Sequence, residues 1–387
     1  MKKILFILSE NFSIGVIRSQ VFSHIDSMQK NKIAKFSVVF CYWSEKELSK
    51  SKDFLKKFKN RINCKIYFLK IFRPAYFFLN FKNQKLLLNK ILKINEKFDY
   101  IHAITDYCAI ICRYIIEQLN LKLIWDCRGD SSAEVDYEKI FLFGKIKKIY
   151  LDYRFKVAGK ISWKIIFVSS YLMSKYLNNQ KKINKKKIFI IPSTASRNLF
   201  FYSKSLRKKY RNKLKIKENT IVFIYSGSMK HYQNFSKIVD FFLQQYLLEK
   251  KIYLIVLTQN LKEAREKVGN NKNIFIKSVQ YEEVNNYLNA ADFGILIRNN
   301  DSTNFASSPT KFAEYCMSGL KVIITSGVRD YFKYSRDKIK NVIDVDKFNI
   351  FYKSNLRREE ISSFYIKEIS RESYLSQYKK IYNCSRR

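Results

Sequence analysis

The chain has 387 residues, 47% of them hydrophobic and 16% aromatic, which is ample material for packed cores and excludes a disordered chain. That length is too great for one compact core and suits two α/β domains of roughly 190 residues each. The formal net charge of +41 is spread evenly, with 38 Lys and Arg against 15 Asp and Glu in residues 1–195 and 36 against 18 in residues 196–387; without an RNA- or DNA-binding motif it argues against a nucleic-acid partner.

Met1-Lys2-Lys3 and the apolar Ile4–Leu8 open like a signal peptide, but polar Ser9-Glu10-Asn11 end the run, so it reads as a buried first strand. No apolar stretch approaches the ~20 residues a membrane-spanning helix needs, and a cytoplasmic chain is expected. Further short β-branched runs follow at Phe36–Tyr42, Lys65–Lys70, Tyr100–Ile104, Leu123–Cys127, Ile165–Ser169 and Ile188–Pro192, with longer amphipathic stretches between them. This is the pattern of parallel strands with crossover helices. At the end of the fifth run stand Asp126, Arg128 and Glu134, where Asp126 can hold the Arg128 guanidinium toward a phosphate or an acidic acceptor. Residues Tyr137 to Trp163 interleave Lys139, Lys145, Lys147, Lys148, Arg154, Lys156 and Lys160 with apolar residues, which suits an anionic membrane surface as well as a solvated helix face.

Ser196 to Glu218 is polar, basic and without apolar alternation, so the interdomain linker is expected at 196–218, between a first domain 1–195 and a second domain 219–358. The strand pattern restarts at Ile221–Tyr225, Tyr253–Leu257, Ile274–Ser278, Phe293–Ile297 and Val322–Thr325. Directly after the first of these come Gly227, Ser228 and Lys230, where a glycine lets backbone approach a phosphate and the turn feeds a helix near Asn234. Phe293–Ile297 leads to Arg298, a polar loop from Asn299 to Ser308, and a helix opened by Pro309-Thr310-Lys311. Ser307 or Ser308 is the expected N-cap and Pro309 the first helical residue. Arg298 and Lys311 are the cations this geometry brings to a diphosphate, and Glu314, a turn further in, can accept hydrogen bonds from two ribose hydroxyls. Residues 359–387 have near-helical apolar spacing, and the seven cysteines form no CxxC pair and read as reduced thiols.

Ala291-Asp292, Glu314-Tyr315-Cys316-Met317-Ser318-Gly319 and Leu320-Lys321-Val322-Ile323 together resemble the donor region of retaining glycosyltransferases of the GT-B fold, the glycosyl transferases group 1 (family 4-like) type. A bacterial surface-polysaccharide subset, with a pattern like that of Ser308-Pro309-Thr310-Lys311-Phe312, is similar as well. The resemblance implies two Rossmann-like, doubly wound parallel-sheet domains facing across a cleft. It implies a nucleotide-sugar donor, a glycan or lipid-linked acceptor, retention at the anomeric carbon, and no metal or other cofactor. It matches Glu314 to the ribose-binding acid, Gly227, Ser228 and Lys230 to the phosphate loop, Asp126, Arg128 and Glu134 to a "D.RG...E" segment, His102 to a strand-end histidine, and Gly15 to the loop after the first strand. It also implies that the terminal helix recrosses to the first domain. The family's first glutamate falls on Ala306, and its usual Arg and Lys fall on Ser228 and Gln233, all departures from the pattern. The rival readings are a GT-B sugar-nucleotide epimerase, which needs carboxylates near the donor sugar, and a basic nucleic-acid-binding or non-catalytic scaffold protein.

Overall fold

A computed structural model describes every residue except 10–13, 47, 50–51, 53–54, 56–57, 59–61, 75–76, 139–143, 179–183, 333–338, 352–355 and 384–387. The chain forms two compact units, Met1–Pro192 with Tyr374–Arg387, and Ser193–Ser373.

The first unit holds a seven-stranded parallel sheet of β1 (Lys2–Ser9), β2 (Ala34–Tyr42), β3 (Lys65–Lys70), β4 (Tyr100–Ile104), β5 (Lys122–Cys127), β6 (Lys164–Phe167) and β7 (Ile188–Ile190), in the order β3-β2-β1-β4-β5-β6-β7. The second holds β8 (Ile221–Ser226), β9 (Ile252–Leu257), β10 (Ile274–Lys277), β11 (Phe293–Leu296), β12 (Lys321–Ile324) and β13 (Val342–Asp344), in the order β10-β9-β8-β11-β12-β13. Both are Rossmann-like, as the sequence leads one to expect. The central strands are apolar along nearly their whole length because helices cover both faces of a parallel sheet; Ile4 to Ser9 of β1 are all buried. In register, Ile4 lies beside Phe36 of β2 and Tyr100 of β4. In the second unit, one face packs Val222, Ile224, Phe312 and Tyr365, and the other packs Phe223, Phe242, Ile295 and Phe348.

Strand order reverses beside β1 and beside β8. In open parallel sheets the ligand crevice forms at such reversals, outside the carboxyl ends of the strands. The residues that follow β8 and β11 therefore occupy the ligand edge of the second unit, and those that follow β1, β4 and β5 that of the first.

Three features depart from the sequence expectation. The 196–218 stretch is not a plain linker: it contains the helix Lys204–Lys213, capped by Ser203, whose side chain accepts from Leu206 N. That helix docks through arginines. Arg207 donates to Asp292 at 2.7 Å, and Arg211 donates to the carbonyls of Ala290 at 3.1 Å and Lys217 at 2.6 Å. The terminal segment also divides: the helix Arg358–Ile369 belongs to the second unit, while the helix Leu375–Tyr382 belongs to the first. Third, the loop between Asn299 and Ser308 carries a short helix, Ser302–Ala306, capped by Asp301, which accepts from Asn304 N at 2.9 Å.

Within the basic Tyr137 to Trp163 stretch, Gly144–Ile161 is one helix and Lys139 lies outside the described residues. Cys41, Cys64, Cys108, Cys112, Cys127 and Cys316 are buried free thiols. Among the described residues no helix is long and apolar enough to cross a membrane.

Candidate functional site

In the second unit, β8 ends at Ser226, whose amide donates to Tyr315 Oη at 2.8 Å, and the chain turns at Gly227. A Cβ on Gly227 would stand 2.5 Å from Tyr225 Oη, so a larger residue here would displace that ring; the Lys311 stem lies over the same turn, its Cε 3.2 Å from that position. The Gly227 amide itself donates to Leu257 O at 2.9 Å; the residue supplies close approach, not a free donor. Tyr225 Oη fixes the next step by donating to Ser228 O at 2.6 Å. Lys230 is exposed, its ammonium 5.7 Å from the Tyr232 ring centroid. The following helix is Phe235–Leu248, with Asn234 before it in the left-handed region at φ 52°.

Arg298 follows β11 and is buried. Its Nη1 donates to Tyr232 O at 2.9 Å and its Nη2 to Gln233 Oε1 at 2.6 Å. The guanidinium thus clamps the turn after β8, and Gln233, one of the positions that departs from the family pattern, is its partner.

The next helix runs Thr310–Met317, with Pro309 as the residue before it, at φ −67° and ψ 120°, rather than inside it. Ser308 does not cap the helix either. Its hydroxyl accepts from Ser193 N at 2.8 Å and bonds Tyr331 Oη at 2.9 Å, and the Ser307 hydroxyl donates to Asn304 O. Thr310 and Lys311 form the first turn, and Lys311 is half-buried. Burial lowers its pKa below the ordinary lysine value, Glu314 opposes that, and Arg298 adds to it. Glu314 is buried, and burial raises its pKa above the usual carboxylate value against the pull of Lys311 and Tyr281. Tyr281 Oη donates to Glu314 Oε1 at 3.2 Å. Gly227, Lys311, Glu314 and Tyr281 thus form one chain of neighbours across the ends of β8, β10 and β11, a close-approach turn, a cation and an acceptor together.

In the first unit, His102 and Asp126 lie in the core, each about 1% exposed in its side chain, so neither presents itself to a substrate. Arg128 reaches further out, with 14% of its side chain exposed; Nη2 donates to Asp126 Oδ2 at 2.6 Å and Nη1 to Gln20 Oε1 at 3.1 Å. Burial alone would raise the Asp126 carboxyl; Arg128 and His102 overcome it and hold it at about 2. Burial keeps His102 below its ordinary value and therefore neutral at pH 7. An ionised carboxylate only accepts, so His102 Nε2, at 3.3 Å from Asp126, carries the proton. His102 Nδ1 then accepts from Tyr382 Oη at 2.7 Å, and that oxygen accepts from His24 Nε2 at 3.1 Å. The network orients Arg128 from behind.

Glu134 is exposed at the end of the short helix Ser131–Glu134, its carboxylate 3.5 Å from where a Cβ on Gly129 would stand. Gly15 is exposed within the helical turn Ile14–Val16, not in an open loop, and most of the Ser9–Gly15 stretch lies outside the described residues. Tyr281, Tyr232, Gln20 and Tyr382 are partners of these residues that sequence reasoning missed, and Gln233 stood there only as a departure from the family pattern. Only Tyr281 carried a signal, being a tyrosine just beyond a strand end.

The sequence matches no protein-family profile and no curated protein. Solved structures share the fold. HepE from Anabaena, in complex with UDP-glucose, is similar with a TM-score of 0.63 at 10% identity over 98% of this chain and 99% of that one. Sucrose-phosphate synthase from Thermosynechococcus elongatus gives 0.66 at 10% identity over 99% and 98%. A glycosyltransferase from Rickettsia africae gives 0.61 at 15% identity over 99% and 98%.

Proposed function

We propose that the chain is a glycosyltransferase that moves a sugar from a nucleotide-sugar donor to a glycan or lipid-linked acceptor in surface-polysaccharide synthesis, with retention at the anomeric carbon. The observation that carries the reading is the buried Glu314 carboxylate one helical turn beyond Lys311, whose stem lies on Gly227. Glu314 accepts the two ribose hydroxyls. Lys311 meets the diphosphate at the Gly227 turn, over which its stem lies. Arg298 keeps that turn in place through Tyr232 and Gln233 and adds positive potential behind it. The leaving nucleotide is stabilised by these cations as charge develops on it, which is where preorganised electrostatics contribute most. The reaction then has no requirement for a metal. Arg128, aimed by Asp126, and Glu134 serve the acceptor or the leaving phosphate. The likeness to HepE, solved with UDP-glucose, supports a nucleotide-sugar donor.

Titration of UDP, GDP and CMP while following thermal unfolding tests the reading. One of the three raises the melting temperature of the parent chain, and Lys311→Ala removes that shift while melting as a folded protein. In a sugar-transfer assay with the stabilising nucleotide's sugars, EDTA leaves the rate unchanged. If none of the nucleotides stabilises the chain, the proposal fails.

A further inference from the structure

The second unit holds a cavity that Lys311 and Glu314 do not line. Its volume is about 430 Å³, within the roughly 300–1,000 Å³ that small-molecule pockets span. The helix Thr310–Met317 packs on the sheet face that holds Val222 and Ile324, whereas Phe235–Leu248 packs on the opposite face, with Phe223 and Ile295. The cavity opens on this second face, between Phe235–Leu248 and the residues that follow β11, β12 and β13. It therefore lies outside the carboxyl ends of parallel strands, where such sheets receive ligands. Lys237, Asp240 and Gln244 line it at spacings of three and four, from one side of the helix, and Asn300, Ser326 and Asp346 line it from the three strand ends.

Its walls are held in place. Thr325 Oγ1 accepts from Arg298 N at 2.8 Å and donates to Arg298 O at 2.7 Å, and Ser326 Oγ donates to Asn300 Oδ1 at 2.9 Å. Lys237 Nζ donates to Asn299 Oδ1 at 3.1 Å. Phe241, Ile297 and Val345 supply apolar lining, and the Phe241 ring is fixed edge-on against Phe348, centroids 5.4 Å apart.

Charge and hydrogen-bonding capacity decide what fits. Among the described residues the exposed Asp240 and Asp346 carboxylates have no hydrogen-bond or ion-pair partner, in a chain of net charge +41 whose surface acids commonly hold a base, as Asp26 holds Lys30 and Glu263 holds Lys267. Lys237 and Arg298 on the same lining balance these two acids. A polyanion would bring its charge against two carboxylates, and a bare cation would meet the Lys237 ammonium. The carboxylates accept, the ammonium donates, and the Gln244 and Asn300 amides do both, beside apolar lining. Hydroxyl groups, each of which donates one hydrogen bond and accepts two, match such a set, and a ring with C–H faces covers the apolar part. We infer that this cavity is a second binding site, for a neutral pyranose sugar, with ring hydroxyls on Asp240, Asp346, Asn300 and Gln244. The site stands apart from Lys311 and Glu314 and does not depend on the chain being a transferase.

Saturation-transfer NMR on the full chain tests it, with glucose, galactose, mannose and N-acetylglucosamine as free sugars and maltose and lactose as glycan fragments. At least one of the six receives saturation; a signal from free sugars shows that one residue suffices, and a signal from the disaccharides alone shows that the site takes a glycan chain. The signal persists in E134A/K311A, so it does not come from the residues given to donor and acceptor. In that background D240A/D346A, at exposed positions outside the core, weakens binding by about tenfold or more, since hydrogen bonds to charged groups are lost. D240N/D346N, which keeps an acceptor oxygen at each position, recovers part of the affinity, and E263A/E266A, the same loss of charge elsewhere on the second unit, binds like its parent. D240A/D346A in the otherwise unaltered chain keeps the parent's response to nucleotides, so failure of this inference and failure of the donor assignment are told apart. Unchanged melting temperatures show that the variants fold. The inference is overturned if none of the six sugars gives a signal, if D240A/D346A binds like its parent, or if E263A/E266A loses as much. It is also overturned if calcium chloride raises the melting temperature, D240N/D346N removes that rise and no sugar gives a signal, which would make the cavity a cation site.

Discussion

On the proposed reading, Glu314 serves a ligand at the expense of the free fold. Burial raises its pKa, so the folded chain holds this proton more tightly than the unfolded chain does. Its contribution to stability therefore falls as pH rises from the ordinary carboxyl value, about 4.3, through the raised one. Once ionised, the buried carboxylate costs stability, which on the proposed reading the ribose hydroxyls offset. Glu314→Gln keeps an acceptor for Tyr281 Oη and removes the buried charge, so its melting temperature equals or exceeds the parent's. Yet nucleotide affinity falls about tenfold to a hundredfold, since hydrogen bonds to a charged group are exchanged for neutral ones. For the parent, affinity falls with acidification through the raised carboxyl value, at a higher pH than an unperturbed glutamate would give. Calorimetric titration at several pH values, with thermal melts of both proteins, checks these signs. A destabilised variant that binds nucleotide normally would show that Glu314 is structural. Arg298 teaches the opposite lesson: a buried cation at the right edge of the sheet is committed to Tyr232 O and Gln233 Oε1, holding the turn.

At the scale of elements, helix ends in the second unit are joined by arginines. Arg358 donates to the carbonyls of Ala291 at 2.7 Å, Ser318 at 2.9 Å, Asn289 at 3.0 Å, Gly319 at 3.2 Å and Leu288 at 3.3 Å. These carbonyls stand at and just beyond the ends of the helices Val284–Ala290 and Thr310–Met317; Leu288 O also accepts from Ala291 N, and Asn289 O and Ala291 O also accept from Arg207. Arg358→Ala takes from the Ser318 and Gly319 carbonyls their arginine donor, a loss of roughly 3 kcal/mol, and Arg358→Lys recovers only part, because an ammonium cannot span both ends. Chemical denaturation of the second unit's transition measures it; a loss comparable to an ordinary surface substitution would refute this capping role. This arrangement also explains what the sequence reveals and what it hides. Strands such as Ile221–Ser226 and Ile252–Leu257 are visible because buried β-branched runs announce themselves. The helix Lys204–Lys213 is not, because Arg207 and Arg211 dock it where apolar periodicity would be sought. Val342–Asp344 is three half-buried residues at a sheet edge and carries too little pattern to see. In the site, Gly227, Lys311 and Glu314 were legible as types following strands. The pairings of Tyr281 with Glu314 and of Gln233 with Arg298 were not, since they arise only when distant loops meet.

At the scale of the molecule, the first unit is completed by the helix Leu375–Tyr382, which follows the whole of the second unit in sequence. Tyr378, Ile381 and Tyr382 of the last helix are buried in the core that contains Phe6, Phe36 and Ile166. Tyr382 Oη also sits between His24 and His102, giving its proton to one and taking one from the other. Ending the chain after Ser373 exposes that core and leaves His102 Nδ1 without its donor in the network behind Arg128. Burial of one such side chain contributes about 1.5–3 kcal/mol, so losing three approaches the whole stability of an ordinary domain. The first unit of the shortened chain is therefore unfolded or close to it at ambient temperature. The second unit, Ser193–Ser373, keeps its own sheet, both faces of its core and all of Gly227, Lys311, Glu314 and Tyr281. Calorimetry of the shortened chain accordingly shows one remaining cooperative transition, and the nucleotide that stabilises the parent still raises it. On the proposed reading transfer is lost, because Arg128 and Glu134 go with the first unit. Should the nucleotide's effect vanish along with the first unit's transition, donor binding would depend on residues of the first unit, and the assignment of the donor site to the second unit alone would be wrong.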